Sequence, residues 1–249
     1  MRYTPKIAPW PSEFADKIPV SEIFCSIQGE GRFAGTPSVF IRLKYCNLGC
    51  AWCDTRFTWD QGKIEEGELC TAEQIADKSR QLLGKHNSES RDIHIVITGG
   101  EPMLHQDRIP GLIDVLRTRG FEFFEIETNG MYLPSLEMLE RISWWNCSPK
   151  LRNNGLSPSI NIVNEALQAI KASHKADFKF VVQLKSDIEE IISDYVPLIG
   201  NENIILMPEG ITPESQIRKM EWIMEACGKH GFRFSPRLQI LLWGSERAR

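Results

Sequence analysis

The chain has 249 residues, with 29 Lys and Arg against 33 Asp and Glu, for a formal net charge of −4. That length suits one α/β-barrel-like domain or two small ones with a sizeable core, and a balance this near neutral excludes strong nucleic-acid binding by charge alone. No run of about 18 apolar residues is present, which argues against a transmembrane helix, and the N-terminal MRYTPKIAPW lacks the apolar stretch of a signal peptide, so a cytoplasmic location is expected.

Taken in order, Ser38 to Leu43 reads as a strand running into a cysteine-bearing loop. Thr71-Ala-Glu-Gln74 is a capping box, and the helix it starts carries Ile75, Leu82 and Leu83 and should stop near Gly84. Ile93 to Thr98 is an apolar strand ending in Gly99-Gly100-Glu101-Pro102. The next helix carries Ile109, Leu112, Ile113 and Leu116 and closes at Gly120. Phe121 to Thr128 is a strand ending in Asn129-Gly130, and Trp144 to Cys147 leads to Ser148-Pro149-Lys150. Phe178 to Gln183 and Ile204 to Met207 are further strands. Thr212-Pro213 opens a helix after the second, with Pro at its favoured first position. The tail from Phe232 to Trp243 reads as strand-like. No internal repeat, low-complexity tract or long linker interrupts the series, and no role is assigned to Met1 to Lys17.

Strands alternating with helices, the strands mostly apolar, predict a parallel sheet. Six or seven strands are too few for a closed eight-stranded barrel. The expected fold is α/β, an incomplete TIM-like β/α barrel of about six parallel strands. Polar or glycine-rich segments recur just after the strands, at the carboxyl ends where such folds place their sites. The cysteine loop, GGEP, ETNG, SPK and MPEG segments should therefore meet on one rim, with Glu127 and Asn129 facing it.

The chemistry starts from Cys46-Asn-Leu-Gly-Cys50-Ala-Trp-Cys53-Asp54-Thr55, a C-x3-C-x2-C pattern. Three thiolates can hold three irons of a four-iron, four-sulfur cube and leave the fourth iron open to bind and activate a small molecule. The alternative, zinc, usually wants a fourth Cys or His nearby, and no His stands at a finger-like spacing. Seven cysteines in all, an odd number with three clustered, favour a metal site over a disulfide framework. Cys25, Cys70, Cys147 and Cys227 read as ordinary small side chains. Trp52 could shield a cluster from water. The glycines of Gly99-Gly100-Glu101-Pro102 allow the backbone to approach a ligand closely, and Glu101 can accept hydrogen bonds from an ammonium group.

With these motifs the chain resembles the radical S-adenosylmethionine superfamily. There the open iron chelates the cofactor's amino and carboxylate groups, the GGE segment contacts the amino group, and cleavage of the sulfonium gives a 5′-deoxyadenosyl radical. A narrower resemblance lies in Glu22-Ile-Phe-Cys-Ser26-Ile27-Gln28-Gly29-Glu30-Gly31 and Gly35-Thr36-Pro37-Ser38-Val39-Phe40-Ile41-Arg42-Leu43. Together with Cys-Asp-Thr, Ile-Thr-Gly-Gly-Glu-Pro, Glu-Thr-Asn-Gly, Ser-Pro-Lys and Leu-Leu-Trp-Gly, these segments are similar to the 7-carboxy-7-deazaguanine synthases from about Glu22 to Trp243.

That resemblance implies a single radical S-adenosylmethionine domain over residues 1–249, with its core at about 20–243. The family is a carbon–nitrogen lyase of the pathway to 7-deazapurines such as queuosine and archaeosine. It converts 6-carboxy-5,6,7,8-tetrahydropterin to 7-carboxy-7-deazaguanine and ammonia, regenerating S-adenosylmethionine. It implies a 4Fe–4S cluster on Cys46, Cys50 and Cys53, and Mg2+ assisted by the Thr55 hydroxyl. The substrate would meet Ile27, Gln28, Gly29, Glu30, Arg42 and Thr98, with Arg42 on its carboxylate. The cofactor would meet Trp52, Cys53, Asp54 and Gly100, then Ser148, Pro149 and Lys150, with Met207, Pro208, Glu209 and Gly210 around the adenosine. No catalytic side chain is implied beyond the cofactor-derived radical. Arg237-Leu238-Gln239 stands where many members carry Gln-x-His, and the chain runs on past Trp243. A homodimer and an electron donor such as flavodoxin or ferredoxin are implied as partners, with no nucleic acid and no membrane. Two other readings share the cysteines: a glycyl-radical-activating enzyme acting on a protein, and a ferredoxin-like electron carrier, which would want a fourth nearby Cys.

Overall fold

The computed structural model describes residues 16–60, 67–85, 93–156, 162–244 and 246–247. Apart from Asp16 and Lys17, the N-terminal stretch without an assigned role lies outside these, as do Ser245, Ala248 and Arg249 of the tail.

Among the described residues nine strands form one sheet: β1 (Ile18–Ile27), β2 (Pro37–Leu43), β3 (Glu68–Cys70), β4 (His94–Gly99), β5 (Phe123–Thr128), β6 (Trp144–Cys147), β7 (Ala176–Val182), β8 (Ile204–Pro208) and β9 (Arg233–Phe234). Their order is β3-β1-β2-β4-β5-β6-β7-β8-β9, so the sheet is open, with β3 and β9 at its edges. From β2 to β9 all neighbours are parallel. The parallel run expected from the sequence is present. The sheet extends beyond it through β1 and β3, which pair antiparallel and for which the sequence reading placed no strand.

The helices are α1 (Ala72–Lys85), α2 (Ile109–Thr118), α3 (Leu136–Arg141), α4 (Asn164–Ala172), α5 (Lys185–Glu190), α6 (Val196–Ile199), α7 (Pro213–His230) and α8 (Leu238–Trp243). The α1 capping box forms as read: the Thr71 amide donates to Gln74 Oε1 at 2.9 Å and the Gln74 amide to Thr71 Oγ1 at 3.3 Å. At α7 the Thr212 hydroxyl accepts the Ser215 amide at 3.2 Å, ahead of Pro213. The strand-like reading of Phe232 to Trp243 is corrected. Only Arg233 and Phe234 pair in the sheet, because Pro236 has no N–H for a ladder. The following Leu-Gln-Ile-Leu-Leu-Trp turns into α8. No helix among the described residues is long and apolar enough to cross a membrane.

Strand periodicity divides the sheet into two chemistries. Val39, Ile41, Ile95, Ile97, Phe124, Ile126, Trp145, Phe178, Phe180 and Leu206 belong to the main core. The alternate positions, among them Arg42, Thr98, Glu125, Glu127, Asn146, Asp177 and Lys179, lie outside that core on the opposite face. Most of them are nonetheless buried. Near the amino end of β7, Asp177 is 1% exposed and accepts from Arg32 Nε at 2.8 Å, Arg233 Nη1 at 3.1 Å and Trp144 Nε1 at 3.2 Å. One carboxylate on β7 thus ties the turn after β1 to β6 and, across β8, to β9. Both arginine side chains are a third or more exposed and would regain water on its removal. Asp177→Ala should therefore cost about 2 kcal/mol rather than the 3–5 kcal/mol of a fully buried pair, measured by urea unfolding.

Candidate active site

The cysteine loop is hung on the end of β4. The Gly100 amide donates to the Leu43 carbonyl at 3.1 Å and the Glu101 amide to the Tyr45 carbonyl at 2.8 Å. Gly99 adopts φ +142°, and a Cβ there would lie 2.1 Å from the Leu43 oxygen. One at Gly100 would lie 2.0 Å from the Tyr45 oxygen. The missing Cβ atoms permit close approach to the backbone leading into the cysteine loop, and both glycines also line the cleft. Two more struts hold that loop. Asn129 Nδ2 donates to Asn47 Oδ1 at 2.7 Å, and the Ala51 amide to the Asn154 carbonyl at 2.8 Å.

Glu101 lines the cleft and also braces the rim beside these glycines. It is 1% exposed, and its oxygens accept from Thr128 Oγ1 at 2.7 Å and the amides of Asn129 at 2.7 Å and Met103 at 3.0 Å. Both oxygens face protein donors, so Glu101 binds the end of β4 to the end of β5. Burial raises its pKa.

Cys46, Cys50 and Cys53 line one wall of a cleft of about 770 Å³. Burial pushes the Cys46 thiol far up, with the nearby Glu101 carboxyl adding to it, and burial raises Cys50 as well. Cys46 and Cys50 thus hold their protons more tightly than free thiols, and metal binding, which needs the thiolate, releases them. Donors already point at them: the Leu48 amide lies 3.4 Å from Cys46 Sγ, and Trp59 Nε1 lies 3.2 Å from Cys53 Sγ. Hydrogen bonds of this kind support thiolate ligands. Among the described residues no three Cys, His, Asp or Glu side chains converge on a single-ion position.

The polar face of the sheet closes the opposite side. Glu30 is the centre of this wall. It accepts from Lys179 Nζ at 2.6 Å, Arg237 Nε at 3.0 Å and Gln239 Nε2 at 2.8 Å. Burial works against its charge, but Lys179 and Arg237 outweigh it and hold Glu30 well below the usual carboxylate range. Burial likewise opposes the charge on Lys179, and Glu127 and Glu30 more than offset it. Thr98 Oγ1 donates to Glu127 Oε2 at 3.0 Å. Gln28 Nε2 lies 3.4 Å from Glu125 Oε2, and Gln28 Oε1 accepts the Glu30 amide at 3.3 Å. A Cβ on Gly29 would fall 1.9 Å from Gln239 Oε1, so glycine leaves the Gln239 side chain the room in which it reaches Glu30. Arg42 sits opposite Glu22 on β1 and gives its Nε to Glu22 Oε1 at 2.7 Å.

All six residues expected at the substrate, Ile27, Gln28, Gly29, Glu30, Arg42 and Thr98, line this cleft, as does Thr55, whose hydroxyl is 3.5 Å from Cys53 Sγ. Of those expected at the cofactor, Trp52, Cys53, Asp54, Gly100, Ser148 and Lys150 line it, together with Met207 and Glu209. Pro149, Pro208 and Gly210 are not among the lining residues. Pro208 and Gly210 instead offer their carbonyls to Gln216 Nε2, at 3.0 and 2.8 Å, and so shape the loop after β8. Lys150 Nζ turns back to the Ser148 carbonyl at 2.6 Å, and Glu209 pairs with Lys219 at 2.6 Å. Asp54 is paired with Arg237. The sequence reading did not single out Lys179 or assign a site role to Arg237 and Gln239. A lysine inside the apolar run Ala-Asp-Phe-Lys-Phe-Val-Val was the available signal.

An open parallel sheet with three cysteines at its carboxyl rim defines a radical S-adenosylmethionine enzyme, and residues 40–184 match the family model described as Radical SAM superfamily. Membership implies a 4Fe–4S cluster and S-adenosylmethionine, which the three cleft-lining thiols and their donors fit. Within the superfamily, the chain belongs to the 7-carboxy-7-deazaguanine synthase family of 7-deazapurine biosynthesis. It is 36% identical over 235 residues to the 7-carboxy-7-deazaguanine synthase of Pyrobaculum aerophilum, covering 94% of this chain and 98% of that one. The Escherichia coli (strain K12) enzyme of the same name is 32% identical, covering 88% and 95% respectively. The crystal structure of QueE from Escherichia coli superposes with a TM-score of 0.65 at 28% identity, covering 89% of this chain and 94% of that one.

Gly100→Ala should displace the cysteine loop, because the clash is with backbone that cannot rotate away. Anaerobic reconstitution should then load less iron per chain than wild type, by roughly half or more, while Gly228→Ala, where a Cβ meets nothing within 4 Å, should load normally.

Proposed function

We propose that this chain is a carbon–nitrogen lyase that converts 6-carboxy-5,6,7,8-tetrahydropterin to 7-carboxy-7-deazaguanine and ammonia. One observation carries the reading: three thiols and the ionised Glu30 wall share one cleft of about 770 Å³, a size typical of small-molecule sites. A cofactor held at the thiols would therefore lie beside a molecule held at Glu30.

When bound, the cluster and S-adenosylmethionine supply the radical that takes a hydrogen atom from C6 of the pterin. The chain's own residues orient the two partners. Glu30, kept ionised, is acceptor-only; three donors occupy it, and a carboxylate has room for about one more, which suits an N–H of the pyrimidine edge. Ile27, Gln28 and Gly29 lie along the same edge. Arg42 has Nε committed to Glu22, and its Nη1–Nη2 edge is assigned to the substrate carboxylate. Thr98, anchored on Glu127, supports the substrate from the strand end. Asp54, Trp52, Gly100 and the Ser148–Lys150 turn receive the cofactor, with Met207 and Glu209 at its adenosine and Pro208 and Gly210 shaping their loop. The Thr55 hydroxyl is assigned to Mg2+, a hard cation that prefers oxygen. One radical S-adenosylmethionine domain, a cytoplasmic homodimer and reduction by flavodoxin or ferredoxin complete the reading.

Anaerobic turnover with the carboxy-tetrahydropterin, S-adenosylmethionine and a reductant, read by product mass, tests it. Formation of the deazaguanine acid is expected; intact pterin with the cofactor cleaved would overturn the substrate assignment. Cys50→Ala should abolish turnover, because the thiolate is the ligand. Arg42→Ala should weaken pterin binding by about 2–4 kcal/mol with the cluster intact, measured by titration calorimetry. Thr55→Ala should flatten the magnesium dependence of the rate; an unchanged magnesium response would remove Thr55 from that role.

A further inference from the structure

Arg237 lies in the turn between β9 and α8, where it is 8% exposed. Its guanidinium reaches three separate segments. Nε donates to Glu30 Oε1 at 3.0 Å on the substrate wall, Nη1 to the Gly210 carbonyl at 3.0 Å on the loop after β8, and Nη2 to Asp54 beside Cys53. Glu30 and Asp54 otherwise belong to opposite sides of the cleft. Asp54 is 40% exposed on its own strip of loop, and the pair with Arg237 ties it to the Glu30 wall. A planar guanidinium fixes these three directions at once, which a lysine ammonium cannot.

We propose that Arg237 is a positioning residue that couples the two halves of the site, so that the state of Glu30 is felt at Asp54 and in the affinity for S-adenosylmethionine. The inference rests on the assigned reaction for the meaning of the two halves, but its physical content is a coupling between two carboxylates through one shared cation. A change that loosens Glu30 leaves Arg237 drawn to Asp54 alone and shifts the cysteine loop's flank. By linkage the same free energy passes in the other direction. Glu30 retains Lys179 and Gln239 when Arg237 is changed, so the substrate wall keeps its charge balance while the connection is lost.

The test is a double-mutant cycle read as binding. Equilibrium dialysis of S-adenosylmethionine is performed on cluster-loaded wild type, Glu30→Gln, Arg237→Lys and the double variant, with iron content measured for each. Glu30→Gln should weaken cofactor binding about tenfold although it touches none of the cysteines, and should have no effect once Arg237 is Lys. Should Glu30→Gln fail to load its cluster, Glu30→Asp, which keeps the charge but shortens the reach, takes its place with the same expectation. Cofactor affinity untouched by the Glu30 change, or weakened by the same factor in both backgrounds, overturns the coupling. The dialysis needs no pterin. A wild type that binds S-adenosylmethionine but not the carboxy-tetrahydropterin would overturn the assigned reaction and leave the coupling to be judged on the cycle.

Discussion

The site depends on one backbone contact, the docking of Leu43 to Tyr45 onto Gly99 and Gly100. Without a Cβ at those two positions the end of β4 can lie against the start of the cysteine loop and donate two amides to it. With one, hard atoms would stand about 2 Å apart. Everything at the rim is referenced to that contact. Glu101 follows directly and joins β4 to β5, Asn129 follows from β5 and holds Asn47, and Asn47 lies inside the cysteine loop. The loop is thus held in place by two strand ends and by the Asn154 strut.

The second organising constraint is the period of two along the strands. Residues facing the helices are apolar and close-packed, and the alternate residues form an enclosed polar face. Charge inside a protein is costly unless it is paired. Here the pairing is nearly continuous: Lys179 with Glu30 and Glu127, Arg237 with Glu30 and Asp54, Asp177 with Arg32 and Arg233. This network keeps Glu30 ionised in a place where burial alone would neutralise it.

Much of this was legible in the sequence, and the unread parts have physical reasons. The central strands announced themselves as apolar runs, and Thr71 and Thr212 marked helix starts that formed as read. β1 was missed because Ser21, Glu22 and Ser26 break its apolar character; Glu22 and Ser26 face the cleft. α8 was read as strand because six mostly apolar residues carry no decisive periodicity, and Pro236 was the overlooked signal. The motif residues were placed in one cleft, but their immediate partners were not foreseeable. The role of Gly100 depends on which backbone it meets, and that of Arg237 on a carboxylate more than 200 positions away.

The contacts also differ in span along the chain. The struts of the cysteine loop from β4, Asn129 and Asn154 all lie within residues 43–154. The substrate wall instead needs Gln239 to meet Glu30 across 209 positions. Closing so long a loop costs more entropy, and such contacts form late in folding. A nascent chain can therefore shape its iron-binding loop while the last helix is still within the ribosome, and the pocket beside it is completed only after that helix emerges.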